Sequence, residues 1–126
     1  MKFARIVFSI AGIWGLLVLT ALYFSFDSIG SRNPPPITHP EFYYGFVAVA
    51  IAWQAAFLVI ARDPMRFRLM MVPAMLEKFG YAASLAVLFA QERLHADQLV
   101  GAAADLLLGV LFLAAFVKTR AVIVRS

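Results

Sequence analysis

Four apolar runs constrain this chain more than any other feature. They cover residues 6–26, 42–61, 69–90 and 99–117, and each has about the 20 residues that an α-helix needs to cross roughly 30 Å of hydrocarbon. The chain has 126 residues, of which 63% are hydrophobic and 14% charged, a balance that ordinary soluble domains do not have. The sequence therefore predicts one all-α domain over residues 1–126, an integral membrane four-helix bundle.

The third run is unusual because it contains Pro73, Glu77 and Lys78. If the helix began after the charged pair, residues 79–90 would rise only about 18 Å, which is too short to span a bilayer. The charged pair is therefore predicted to lie within the hydrocarbon region. Pro73 is compatible with this because little helix precedes it.

The first run also resembles a signal peptide, since Lys2 and Arg5 precede it. It is longer than the apolar region of about 7 to 15 residues that signal peptides have, and no A-x-A-like site appears before Asp27. An uncleaved membrane anchor is the expected outcome.

The basic residues of the connections indicate an orientation. Eight of them fall on one side of the predicted bundle and two, Arg32 and Arg93, on the other. The eight are Lys2, Arg5, Arg62, Arg66, Arg68, Lys118, Arg120 and Arg125. By the positive-inside rule, both termini and the second loop are predicted to be cytoplasmic. The aromatic residues between 23 and 44 then form a belt at the outer interface, and the outer segment SRNPPPITHP is expected to be extended.

Small residues indicate which helix faces meet, because membrane helices associate where their backbones can approach closely. Short turns predict that helices two and three, and helices three and four, are antiparallel neighbours. The predicted contact strips are Ala11 and Gly15; Ala48, Ala52 and Ala56; Glu77, Gly80, Tyr81 and Ser84; and Gly101, Asp105 and Gly109.

Reflecting neighbouring helices about their loops places several polar side chains at one depth, near the bilayer midplane. This predicted polar layer consists of Trp14, Trp53, Gln54, Glu77, Lys78, Tyr81, Ser84 and Asp105. Each buried ionisable group costs about 2.5 to 3.5 kcal/mol to insert, so partners within the bundle are expected, with Lys78 reaching toward Asp105. The layer has two interpretations: it fixes the helix register, or it binds a ligand or a proton.

Several classes of site are excluded or disfavoured. The absence of cysteine excludes thiol chemistry, and no GxSxG, HExxH, Walker or GxGxxG motif occurs. The placement of the basic residues at the ends of apolar runs argues against nucleic acid binding. His39, Glu41 and His95 are weak metal candidates whose spacing fits no metal motif, so no metal and no cofactor is predicted.

The segment ITHPEFYYGFVAVAIAWQAAFLVIARDPMRFR, followed by PAMLEK, resembles a group of small, uncharacterised four-span bacterial membrane proteins. The likeness covers most of the chain and implies a bacterial inner-membrane location. It implies no activity and no site residue. The general plan is also similar to DoxX-type and EXPERA-type bundles, in span number and polar interior alone. Small multidrug transporters share the size, but their membrane carboxylate lies in the first helix, where this chain has none.

The leading functional hypothesis is a non-enzymatic membrane protein whose polar layer binds a small lipid-like or quinone-like ligand, or docks a partner subunit or a second copy. One alternative is a proton-linked carrier of a small solute that uses Glu77 or Asp105. Another is a lipid-modifying enzyme in which Glu77 serves as a general acid or base.

Overall fold

The computed structural model describes residues 1–125; Ser126, the last residue of the predicted domain, lies outside the described residues. Five α-helices follow one another along the chain, and no strand occurs in the described part. They are α1 (Lys2–Tyr23), α2 (Phe26–Arg32), α3 (Pro40–Arg62), α4 (Met71–Ala90) and α5 (Val100–Arg125). All but α2 belong to spans long and apolar enough to cross a membrane. The prediction of an all-α, four-span helical bundle is confirmed.

Prolines lie in the first turn of two helices. Pro40 is the first residue of α3 and Pro73 the third of α4, positions where the missing N–H would have no partner within the helix. Short 3₁₀ turns, Arg68–Met70 and Ala96–Leu99, lead into α4 and α5. Glu77 and Lys78 lie inside α4, as predicted.

The four long helices are arranged as two closely packed pairs. Helix α1 packs along α3, α4 packs along α5, and contacts between α1 and α5 join the pairs. Helices α3 and α4 touch each other sparsely, although a short loop connects them. The expectation that they pack as close neighbours is wrong, whereas the pairing of α4 with α5 is confirmed. The predicted alanine ridge of α3 is not a continuous packing surface, since Ala48 and Ala52 are exposed and Ala56 alone is partly buried.

A hydrophobic core fills the half of the bundle that contains the chain termini. Its centre is three buried phenylalanines, in which the Phe8 and Phe112 rings stack 4.2 Å apart and Phe57 meets Phe112 edge-on at 5.0 Å. Alanines of α1, α4 and α5 complete it, because small side chains let the helices close around the rings.

Basic side chains cluster at this same end. The Arg68 guanidinium donates to the Phe116 carbonyl at 2.9 Å and lies 3.7 Å from the Phe116 ring centroid. The Lys118 ammonium lies 4.0 Å from the ring of Phe3. The N-terminal helix, the α3–α4 loop and the end of α5 therefore meet at one end, as the antiparallel arrangement requires.

Aromatic side chains gather at the opposite end. Tyr43 donates its hydroxyl to the Leu22 carbonyl, and the rings of Phe26 and Tyr44 stack 5.2 Å apart. The short helix α2 was not predicted, since seven residues carry too little periodicity to stand out. The segment of residues 33–39 that follows contains no helix, but it is not extended as expected: Pro36 and Ile37 lie against Gly30 of α2, so the chain folds back on itself here.

Candidate functional site

Three charged side chains meet between α4 and α5. The Lys78 ammonium lies 3.4 Å from Asp105 Oδ1 and 3.5 Å from Glu77 Oε2. The Lys78 side chain is 4% exposed, while those of Glu77 and Asp105 are 19% and 13% exposed. We call these three residues the charged triad. The predicted approach of Lys78 to Asp105 is confirmed.

The triad borders the aromatic core. Lys78 Nζ is 5.2 Å from the centroid of the Phe57 ring, so its ammonium is held between two carboxylates and a ring face. A ring face attracts a cation, and this attraction is stronger where water is excluded. Lys78 is therefore fixed in place from three sides.

Gln54 brings a buried amide to the same region from α3. Its Nε2 donates to the Ala50 carbonyl at 2.9 Å, which identifies the nitrogen because a carbonyl oxygen can only accept. The residue is 2% exposed, yet its Oε1 accepts no hydrogen bond from the described residues. Gly15 on α1 makes room for this amide, since a Cβ at Gly15 would overlap the Gln54 side chain.

These polar groups line a cavity of about 140 Å³ between the helices. All four long helices contribute to its wall: Trp14, Gly15, Val18, Leu19, Leu22, Phe46, Ala50, Gln54, Glu77, Lys78, Tyr81, Gly101 and Asp105. The triad and Gln54 provide its polar part, and apolar or aromatic side chains provide most of the rest. Binding sites for small molecules have this composition, an apolar wall with a few fixed polar groups.

A second, more open groove of about 460 Å³ lies between α3 and α4, where these helices diverge. Trp53 and Phe42 line the groove, while Phe46, Glu77 and Tyr81 line both the groove and the cavity. The rings of Phe46 and Tyr81 stack 5.8 Å apart and form the partition between the two spaces.

The structure brings together six of the eight predicted polar-layer residues in the cavity wall. These are Trp14, Gln54, Glu77, Lys78, Tyr81 and Asp105. Trp53 borders the groove instead and packs against Phe57 with ring centroids 6.3 Å apart. Ser84 does not join the layer: it is exposed, and its hydroxyl donates to the Gly80 carbonyl of its own helix at 2.8 Å.

The buried face of α4 differs from the predicted contact strip by one residue position around the helix. The buried residues of α4 are Met71, Ala74, Lys78 and Ala82, so Lys78 faces inward and Glu77 and Tyr81 lie at the edge of that face. A Cβ added at Gly80 would meet nothing within 4 Å. The strip on α5 is confirmed, since Gly101 lies against the Tyr81 hydroxyl and Gly109 against the Phe79 ring.

Sequence reasoning missed Phe46, whose ring closes the cavity on the α3 side. One signal was available: Phe46, Ala50 and Gln54 follow one another at steps of four and therefore share a helix face. The weak metal candidates His39 and Glu41 pair at 3.4 Å and are both exposed. No group of three or more potential metal-ligating side chains converges within the described part of the chain.

Comparison with protein-family models, with curated proteins and with solved structures found no match to this chain. The resemblance to small four-span bacterial proteins therefore stays a prediction, and the site must be interpreted from its own geometry.

Proposed function

We propose that this protein binds a small amphipathic ligand, lipid-like or quinone-like, in the cavity between its four long helices. The observation that carries the proposal is the cavity wall itself, in which a charged triad and an unpaired amide oxygen adjoin apolar side chains. A cavity of comparable volume, about 150 Å³, accommodates a benzene-sized ring. The head of the ligand would meet the polar groups, and its apolar part would contact Trp14, Phe46 and Tyr81.

The gap between α3 and α4 suggests how such a ligand arrives. The groove is lined mostly by apolar side chains and adjoins the cavity through Phe46 and Tyr81. In a bilayer this groove would face the acyl chains, because α3 and α4 both have the length and composition of membrane spans. A lipid-soluble molecule would thus enter sideways, with the two rings moving apart.

We also propose a bacterial inner-membrane location with both termini in the cytoplasm. Support for the orientation comes from the basic cluster around Arg68 and Lys118 at one end of the bundle and from the tyrosines at the other. Cytoplasmic ends of membrane proteins carry such an excess of Lys and Arg.

Native mass spectrometry of the purified protein tests the ligand directly. We expect a co-extracted lipid-like or quinone-like molecule on the wild-type protein and its loss from the Glu77→Ala variant. Glu41→Ala is the matched control, because Glu41 is exposed outside the cavity wall. A wild-type protein that carries no small molecule but co-purifies with a partner subunit would instead support docking. An empty protein without a partner would contradict both.

A proton-linked carrier is the second candidate, and the position of Glu77 favours it. Glu77 lines both the cavity and the groove between α3 and α4, so its carboxylate could exchange a proton or a solute with either space. Asp105→Asn should then abolish uptake, driven by a pH gradient, of the molecule identified by mass spectrometry into proteoliposomes. Unchanged uptake would exclude a carrier that works through Asp105.

A further inference from the structure

The charged triad contains two acids and one base, and this imbalance indicates the chemistry of the ligand. Lys78 is the single basic residue among the described residues that line the cavity, and it faces Glu77 on its own helix and Asp105 on α5. The side chains that α1 and α3 present are uncharged, namely Trp14, Phe46 and Gln54. With every group ionised, the cluster would have a net charge of −1.

An uncompensated charge at this depth is costly, because moving an ion from water into a medium of low dielectric constant costs at least several kcal/mol. The site therefore requires one additional positive charge, either a proton on a carboxylate or a cationic ligand. A neutral ligand such as a quinone would bind with that proton in place, whereas a cationic ligand can replace the proton.

Hydrogen bonding narrows the choice of cation. Gln54 Oε1 is buried and accepts no hydrogen bond from the described residues, and Glu77 Oε2, also buried without a hydrogen bond, has the Lys78 ammonium 3.5 Å away as its ionic partner. A buried acceptor without a donor costs about 1 to 3 kcal/mol, so a ligand that offers donors gains more here than one that offers acceptors. A primary ammonium has three N–H donors, while a quaternary ammonium has none.

We infer that the cavity binds the primary ammonium head of an apolar amine and that binding releases a proton from the charged triad. This inference rests on the proposed ligand-binding function and specifies the ligand class. In the exchange, the ammonium enters, the carboxyl O–H bond of Glu77 or Asp105 breaks, and the proton passes to water. The net charge of the site is the same before and after. The apolar chain of the amine lies against Phe46 and Tyr81.

The test uses two probes that share a chain and differ in their heads, octylamine and 1-octanol. Each is titrated onto the full-length protein in lipid nanodiscs, with protein-free nanodiscs giving the background for partition. We expect saturable octylamine binding at least about tenfold tighter than that of 1-octanol, which corresponds to roughly 1.4 kcal/mol. Calorimetry in buffers of different ionisation enthalpy should detect about one proton released per amine bound, as charge balance at the triad requires.

Two substitutions separate charge from packing. In Asp105→Asn the remaining Glu77–Lys78 pair is neutral, so octylamine binding should fall by about tenfold and proton release should disappear. Asp97→Asn makes the same chemical change at an exposed site outside the cavity and should leave both unchanged.

The outcomes distinguish the two proposals. If neither probe binds above background, the proposed ligand-binding function is wrong. If both probes bind with equal affinity, or if amine binding releases no proton, the cavity binds ligands but the inference about the ammonium is wrong. The comparison of the two probes on the wild-type protein keeps the test decisive even if Asp105→Asn does not fold.

Discussion

Lys78 has two partners and each carboxylate has one, so the triad should respond unequally to the loss of its members. Replacing Lys78 by Met keeps an unbranched apolar stem but leaves Glu77 and Asp105 facing each other without a cation. Removing one partner of a buried ion pair typically costs about 3 to 5 kcal/mol. With its ammonium 3.4 and 3.5 Å from two carboxylates and its side chain 4% exposed, Lys78 satisfies the conditions for that range.

Asp105→Asn should cost less, because Lys78 keeps its contact with Glu77. The loss is then that of one charged hydrogen bond, about 1.5 to 3 kcal/mol. Replacing all three residues, as Glu77→Gln, Lys78→Met and Asp105→Asn together, should recover much of the stability, because no uncompensated charge remains.

Reversible unfolding by sodium dodecyl sulfate in mixed micelles measures these differences, with helix content as the signal. We expect the free energy of unfolding to fall in the order wild type, Asp105→Asn, Lys78→Met, and the triple variant to exceed Lys78→Met. A Lys78→Met protein within about 1 kcal/mol of wild type, or more stable than Asp105→Asn, would refute the view that the ammonium is held by two buried carboxylates.

Three further predictions concern packing and topology. Gly15→Ala should destabilise the fold by about 1 to 3 kcal/mol, because the added Cβ would overlap the Gln54 side chain of α3. Gly80→Ala is the control and should be neutral or stabilising, because a Cβ there meets nothing within 4 Å. Thermal unfolding that ranks the two variants in the opposite order would contradict the α1–α3 contact. Phe112→Ala should lower the free energy of unfolding by about 3 to 5 kcal/mol, because Phe112 is fully buried in the aromatic core. Phe89 is about half-exposed, so Phe89→Ala should lower it much less. Equal losses for the two variants on denaturant unfolding would argue against that core. A cysteine introduced at Arg66, in a chain without others, should react with an impermeant maleimide from the cytoplasmic side, and labelling from the outside would reverse the proposed orientation.

The sequence predicted the depth of the polar side chains better than the direction in which they point. Reflection about the loops placed Gln54, Glu77 and Asp105 at one level, and all three line the cavity. It also placed Ser84 there, although Ser84 lies six residues, about 9 Å, along α4 from the Lys78 that Asp105 contacts. Direction depends on which helices pair, and that choice is made by tertiary packing. The face of α4 was therefore predicted one residue away from Lys78, and Ser84 was placed inside when it is exposed.

The pairing of α1 with α3 explains why α3 does not pack closely against α4, the helix that follows it in the chain. The glycines of α1 accept the bulk of α3, including the Gln54 amide at Gly15 and the Leu58 side chain at Gly12. No comparable small surface joins α3 to α4, where the aromatic rings of Phe46 and Tyr81 meet instead. Periodicity along one helix shows which residues share a face, but it does not show which partner that face will meet.

Carbodiimide footprinting tests the central claim most directly, namely that the two acids of the triad lie within the hydrocarbon region beside a cavity. The protein in nanodiscs is treated with dicyclohexylcarbodiimide or with a water-soluble carbodiimide, and the modified carboxyl groups are mapped by mass spectrometry. The apolar reagent should modify Glu77 or Asp105, octylamine should protect them, and the water-soluble reagent should modify the exposed acids Glu41 and Asp97 instead. Reaction of Glu77 and Asp105 with the water-soluble reagent at the rate of Glu41 and Asp97 would contradict the account.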